Sequence, residues 1–187
     1  MKQLILIVGP SGSGKDTLLR WAREYFRGWK GVTFCKRYIT RVPDENEDNF
    51  YVCEKGFETL EHSNFFAFSW KAYNYFYGIP SYEIKEGYCN FISVSRSMVN
   101  KIECMFSHVV TIYIRARKDI IKKRLLKRKR EPVEIIKERL KRYDIDIMAR
   151  NRIDFINEGE ERVVRENFLA LCRSIINDFF YKKKGIT

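Results

Sequence analysis

Histidine is nearly absent from this chain: His62 and His108 are the only two among 187 residues. Neither stands in a pattern with a serine or cysteine, which excludes the Ser–His and Cys–His constellations that place an imidazole beside a nucleophile. Cysteine is sparse and scattered. Cys35, Cys53, Cys89, Cys104 and Cys172 are odd in number and form no CxxC, which argues against a zinc site or a disulfide framework and predicts reduced, mostly buried thiols. Long apolar runs are missing as well. Leu4–Val8 is too short for a signal peptide and no stretch approaches membrane length, so the expectation is a cytoplasmic protein without a membrane partner. The absence of repeats, low-complexity tracts and long linkers predicts one domain over residues 1–187. Acidic residues are in the minority, 24 Asp and Glu against 36 Lys and Arg, leaving a formal charge of +12 and a pI near 9.5. Such a balance asks for an anionic partner: nucleic acid, an acidic membrane or a polyphosphate. The basic residues lie mostly between Arg115 and Arg152, with a Lys182–Lys184 tail, and a solvated helical face explains much of that equally well.

What is present is a globular composition, 45% apolar and 15% aromatic, arranged as apolar runs alternating with amphipathic helical patterns. That alternation marks βαβ units and a parallel sheet. Strands are predicted at Leu4–Val8, Thr33–Lys36, Phe50–Cys53, Phe65–Trp70, Cys89–Ser95, Val109–Ile114 and Ile153–Ile156. Residues 37–49 read as a polar loop. Asn74 opens a turn before Tyr75–Gly78, suggesting a small antiparallel insert. Helices are predicted from Thr17 to Phe26, from Pro80 to Gly87 and from Glu160 to Phe180, with another pair between Arg115 and Arg142.

Gly9-Pro-Ser11-Gly12-Ser13-Gly14-Lys15 sits between a buried strand and a helix, the context a phosphate-binding loop requires. Glycines let the backbone turn so that successive N–H groups and the helix N-terminus cradle phosphates. Lys15 adds a charge that follows the transferred phosphoryl group. The Ser or Thr that usually follows the lysine and holds Mg²⁺ is replaced by Asp16, with Thr17 next. The strand at Cys89–Ser95 ends without the usual acid, so Asp16 either takes over that carboxylate's role at Mg²⁺ or favours the helix N-terminus by its charge.

Further candidates face the acceptor. Arg37 and Arg41 can present guanidinium forks for bidentate phosphate binding, or form a solvated pair. The aromatic segment Phe65–Gly78 reads either as plain core or as a pocket wall carrying the polar tips of Ser69, Lys71, Tyr75 and Tyr77. Stacking on single-stranded nucleic acid is a further, weaker reading. Lys122–Arg130 taken alone is a solvated or nucleic-acid-binding basic helix. Arg139 and Arg142 lie three apart on one helical face.

Gly9–Lys15, Tyr38-Ile-Thr-Arg41, Phe57, the Trp70–Gly78 segment, Ser95-Arg96 and the late arginine-rich helix pair follow the order found in guanylate kinases. The chain resembles the ribose 1,5-bisphosphate phosphokinase branch more closely still. The shared details are Gly14-Lys-Asp-Thr17, Arg37-Tyr-Ile-Thr-Arg41, Ser69-Trp-Lys-Ala72 and Ser95-Arg96. The resemblance spans nearly the whole chain. It implies an α/β P-loop three-layer sandwich with a parallel sheet core, an antiparallel acceptor-binding insert over about 37–80 and a helical lid over about 124–140. It implies ATP as phosphate donor, Mg²⁺, and conversion of ribose 1,5-bisphosphate to 5-phosphoribosyl 1-diphosphate, with a small phosphorylated substrate as partner rather than nucleic acid. Carried onto this chain, Gly9, Ser11, Gly12, Ser13, Gly14, Lys15, Asp16, Thr17 and Arg124 hold the donor. Asn157 is a candidate base contact or a turn cap. Arg37, Tyr38, Arg41, Ser69, Lys71, Tyr77, Arg96, Arg139 and Arg142 meet the acceptor. Lys15, Asp16, Arg128, Arg130 and Arg139 serve transfer, with Asp16 on the metal.

The departures from guanylate kinase are informative. Asp44 and Asn49 stand where that family has an arginine and a tyrosine for the acceptor phosphate, Phe68 where a glutamate meets guanine, and Ser93 or Ser95 where an aspartate does. A guanine without those carboxylates leaves N–H groups unpaired, at about 1–3 kcal/mol per lost partner. Two other readings stay open: a nucleoside monophosphate kinase with an unfamiliar base pocket, and a non-catalytic module on the same fold.

Overall fold

The computed structural model describes residues 1–42, 48–72, 74–127 and 133–183. Pro43, Asp44, Arg128 and Arg130 lie outside them.

Strand β1 (Gln3–Val8) is the centre of the molecule, and Leu4–Val8 are wholly removed from solvent. Apolar side chains so buried contribute about 1.5–3 kcal/mol each. β1 is flanked by two parallel neighbours, β7 (Cys89–Ser93) and β8 (Val109–Arg115); β2 (Val32–Phe34) and β9 (Arg152–Ile156) complete the order β2-β7-β1-β8-β9. A sheet covered on both faces explains the continuous apolar runs. Ile5 and Ile7 point to one side and pack with Leu18 and Trp21 of α1 (Lys15–Tyr25) and Phe168 and Cys172 of α6 (Glu161–Lys183). Leu4, Leu6 and Val8 point to the other, against Val99 and Ile102 of α3 (Val99–Met105) and Phe68 and Ile79 of the insert. The three-layer α/β sandwich is the architecture expected.

The insert is a second sheet of order β4-β3-β6-β5, made of β3 (Tyr38–Ile39), β4 (Phe50–Tyr51), β5 (Phe66–Ala72) and β6 (Tyr75–Pro80), with α2 (Glu54–His62) between β4 and β5. Asn74 turns the β5–β6 hairpin with φ of 66°, as Asn tolerates the left-handed region. Two expectations are corrected here. The polar loop over 37–49 contains β3, which pairs antiparallel with β6 through Tyr38↔Gly78 and Ile39↔Tyr77, because Ile39 is buried and Tyr38 packs on Phe50, Phe65 and Phe66. The helix expected from Pro80 to Gly87 is one 3₁₀ turn, Ser81–Glu83. Buried Asn90 draws the following backbone away from helical pairing: its Oδ1 accepts from Lys85 N–H at 2.8 Å, and its Nδ2 donates to the carbonyls of Gln3, Lys85 and Tyr88. Smaller shifts follow the same logic. Cys53 ends no strand; its Sγ accepts from Gly56 N–H and caps α2.

Cys35, Cys89 and Cys172 are buried and Cys53 and Cys104 exposed, none of them paired. Burial pushes all three inner thiols up, Cys89 to about 12, which keeps them protonated and inert. Beyond β8, α4 (Lys118–Lys127) and α5 (Val133–Lys141) pack through Ile121, Leu125 and Ile136.

Candidate active site

The loop between β1 and α1 is shaped by glycine where a side chain would not fit. A Cβ on Gly9 would meet the Ile114 carbonyl at 2.4 Å, and one on Gly14 the Asn157 Nδ2 at 2.2 Å; their φ values are 147° and 92°. L side chains strain in that region. Asn157, buried at the end of β9, donates from Nδ2 to the Ser13 carbonyl at 2.6 Å. Arg124 on α4 donates to the same carbonyl at 3.4 Å and to that of Asn157 at 3.0 Å. Both residues therefore brace the phosphate loop from behind. Lys15 curls over it, its Nζ donating to the carbonyls of Gly9 and Pro10 at 2.9 Å each. The Ser13 hydroxyl is buried without a hydrogen-bond partner among the described residues.

A cavity of about 890 Å³ opens from this loop. One wall is Gly9, Ser11, Gly12, Lys15 and Asp16. Arg37 and Arg41 project from the insert side, Arg139 and Arg142 from the lid. Arg139 donates to the Ser11 hydroxyl, bringing α5 down onto the phosphate loop. Arg37 lies 3.7 Å from the Asp16 carboxylate and donates to Asn49 Oδ1, the Ser93 carbonyl and the Ser93 hydroxyl. Tyr77 takes part in a hydrogen bond with Arg41. Burial pushes its hydroxyl up, against the pull of Arg37 and Arg41, so it stays protonated as a donor. Among the described residues no group of three or more His, Cys, Asp or Glu could enclose a metal ion.

No family model matches the sequence. Among curated proteins, the ribose 1,5-bisphosphate phosphokinase PhnN of Rhizobium etli (strain CIAT 652) is 33% identical over 171 residues, covering 86% of this chain and 87% of its own. The enzyme of that name from Agrobacterium fabrum (strain C58 / ATCC 33970) is 37% identical over 150 residues, 77% of this chain and 81% of its own. The chain belongs to the ribose 1,5-bisphosphate phosphokinase family. The fold is also that of a guanylate kinase from Anaplasma phagocytophilum, at a TM-score of 0.61 and 18% identity over 94% of this chain and 86% of that one.

In this member of the phosphokinase family the hairpin β5–β6 divides the expected acceptor residues. Alternation along a strand puts i and i+2 on one face, and the pairs Trp70↔Tyr77 and Ala72↔Tyr75 line the cavity while Ser69↔Gly78 and Lys71↔Phe76 face away. Of the wall anticipated from Ser69, Lys71, Tyr75 and Tyr77, only the tyrosines are therefore present. The Ser69 hydroxyl donates to Glu61, and the Lys71 ammonium lies 4.9 Å from the Phe76 ring centroid. Tyr38 shares their side through its pairing with Gly78. Trp70, stacked on Tyr77 with centroids 5.3 Å apart, is the wall residue that sequence reasoning passed over.

Arg96 lines the cavity, but the ends of its guanidinium are engaged by the protein. Its Nη1 donates to the Ile145 carbonyl at 2.6 Å, the Tyr143 carbonyl at 3.3 Å and the Tyr113 hydroxyl at 3.3 Å; its Nη2 donates to the Arg142 carbonyl. It ties the end of β7 to the chain leaving α5. Arg142 lies one residue past α5, not on its face. Thr17 does not line the cavity, and Phe68 is buried in the core. Ser95, Ser97, Asn100 and Asp146 do line it. Asp146 had no sequence signal, since Arg152 holds it at 2.8 Å and fixes its place.

Proposed function

We propose that this chain transfers the γ-phosphoryl group of ATP to ribose 1,5-bisphosphate, giving 5-phosphoribosyl 1-diphosphate and ADP. The observation that carries the reading is the convergence of Lys15, Arg37, Arg41, Arg139 and Arg142 on one cavity to which, among the described residues, neither the insert nor the end of β7 contributes a carboxylate. Cations suit two phosphorylated ligands, and the two carboxylates that line the cavity among the described residues, Asp16 near Arg37 and Asp146 held by Arg152, stand elsewhere than the guanine-reading positions. Asp44 lies outside the described residues; Asn49 is engaged by Arg37 and Phe68 is buried, so neither offers guanine a partner.

The acceptor oxygen belongs to a phosphate and is ionised at neutral pH, so no general base is required. It bonds to the γ-phosphorus while the bond to the β–γ bridging oxygen breaks and ADP departs with the electron pair. Bringing the two anions together costs about 4 kcal/mol per unit-charge pair at ~4 Å and an effective dielectric of ~20. Lys15 and Arg139 offset this on the donor side, Arg37, Arg41 and Tyr77 on the acceptor side. The buried unpartnered Ser13 hydroxyl and the loop without Cβ at Gly9 and Gly14 fit a polyphosphate cradle. Asp16 is the carboxylate next to Lys15 in this loop, so Mg²⁺ would be shared between Asp16 and donor phosphates, a common arrangement for this ion, and would supply charge neutralisation. Residues 1–187 form one kinase unit in this reading, with insert and lid as parts of it. Among the described residues no helix is long and apolar enough to cross a membrane, in keeping with a cytoplasmic enzyme acting on a small molecule.

An ADP-release assay across acceptors tests the proposal. Ribose 1,5-bisphosphate should be turned over, with GMP, AMP, CMP and UMP at least about a hundredfold poorer in kcat/KM. That ratio needs ~2.7 kcal/mol, within reach of two or three unpaired polar groups. Good turnover of GMP without the sugar bisphosphate would make this a nucleotide kinase, and no turnover of ATP with any acceptor would make it a binding module.

A further inference from the structure

Beyond the phosphate contacts, the cavity has a wall whose chemistry is of another kind. β7 ends at Ser93, and the chain continues through Val94 and Ser95 into the 3₁₀ turn Arg96–Met98 and then into α3. Ser95, Ser97 and Asn100 all face the cavity that the phosphate loop opens into. The hydroxyls of Ser95 and Ser97 lie 3.0 Å apart. The one charge on this wall, Arg96, is bound to the carbonyls of Arg142, Tyr143 and Ile145. Ser93 is engaged by Arg37. What remains is a neutral shelf of two hydroxyls and an amide, each able both to donate and to accept.

We infer that this shelf reads the ribose hydroxyls of the acceptor, with Ser95, Ser97 and Asn100 as specificity residues for the C2 and C3 diol. The inference rests on the ribose 1,5-bisphosphate reading above. A diol is often met by a carboxylate, but here the sugar carries two phosphates. A carboxylate ~4 Å from either would be repelled by about 4 kcal/mol per unit charge. Neutral hydroxyls and an amide make the same hydrogen bonds without that repulsion. The shelf also stands next to Arg37 through Ser93, so a sugar whose phosphate meets Arg37 presents its ring to Ser95 and Ser97.

The test compares ribose 1,5-bisphosphate with 2-deoxyribose 1,5-bisphosphate as acceptors. A site that pairs with a hydroxyl disfavours the analogue lacking it. Because Ser97 and Asn100 are solvent-exposed, the expected preference is modest. The wild type should prefer the ribose compound at least about tenfold in kcat/KM. The ratio between the two acceptors should fall towards one in Ser97→Ala and in Asn100→Ala, with Ser95→Ala as a third variant and thermal melting confirming that each is folded. Equal use of both sugars by the wild type, or an unchanged ratio in all three variants, overturns the inference while leaving the proposed reaction intact. If neither sugar bisphosphate is turned over, the proposed reaction fails and the inference with it.

Discussion

Lys15 shows how a single residue can be built for chemistry and contribute little to folding. Its ammonium is held by two carbonyls of its own loop, 2.9 Å from each. Removing it takes a charge from the cradle and no element from the core. Lys15→Ala should lower kcat at least about a hundredfold, or ~2.7 kcal/mol of transition-state stabilisation, and leave Tm within about 2 °C. Turnover near wild type in that variant would disprove the phosphate-loop assignment. The Gly-rich loop and its lysine were legible from sequence because their pattern is local: backbone turns and N–H groups need only adjacent residues. Asn157 was legible as a candidate for a different task, since nothing in a linear sequence says that the end of β9 lies behind Ser13.

At the scale of elements, the helical pair α4–α5 is anchored at two points. Arg124 fixes α4 to the phosphate loop, and Arg96 fixes the chain that follows α5 through three carbonyls. Arg139 and Arg142 are positioned between these anchors. A guanidinium spreads five donors over a plane, whereas an ammonium is a point charge. Arg96→Lys should therefore fail nearly as fully as Arg96→Ala. Both should lose about 1–3 kcal/mol of stability, show faster hydrogen exchange over residues 142–148, and lose roughly tenfold or more in kcat/KM. Full activity in Arg96→Lys would show that the charge alone matters and would return Arg96 to the substrate. The sequence suggested the helix pair from its periodicity and its basic run. It also suggested the β5–β6 hairpin from Asn74, yet the face presented by each residue depended on register. Trp70 pairs with Tyr77, which places Ser69 and Lys71 on the far side; a slip of one residue would have placed them in the cavity.

For the molecule as a whole, the charge of +12 and the site are linked. Arginines contributed by the insert and the lid converge on one cavity, and an anion bound there screens their mutual repulsion. ATP with Mg²⁺ at about a hundred times Kd should stabilise the fold by ~2.7 kcal/mol. For a chain of this size that raises Tm by roughly 5–10 °C. In Asp16→Asn, ATP alone should still stabilise, while the further gain on adding Mg²⁺ should shrink; an undiminished gain would leave Asp16 as no more than a charge at the start of α1. Melting curves measure this independently of turnover.

The sequence by itself determined the parallel core, the phosphate loop and the demand for an anionic partner, because burial on both faces, glycine geometry and charge are written in adjacent residues. It also put Phe68 and Ser93 or Ser95 where the resemblance to guanylate kinases would place carboxylates. Tertiary structure decided which polar groups reach the acceptor. Tyr38, Ser69 and Lys71 were turned away by strand pairing, Arg96 was drawn off by carbonyls more than forty residues distant, and Ser95, Ser97, Asn100 and Asp146 were brought to the cavity by the packing of β7 and the chain after α5. Those outcomes depend on hydrogen bonds and registers between segments far apart in the chain, and no local pattern of residues encodes them.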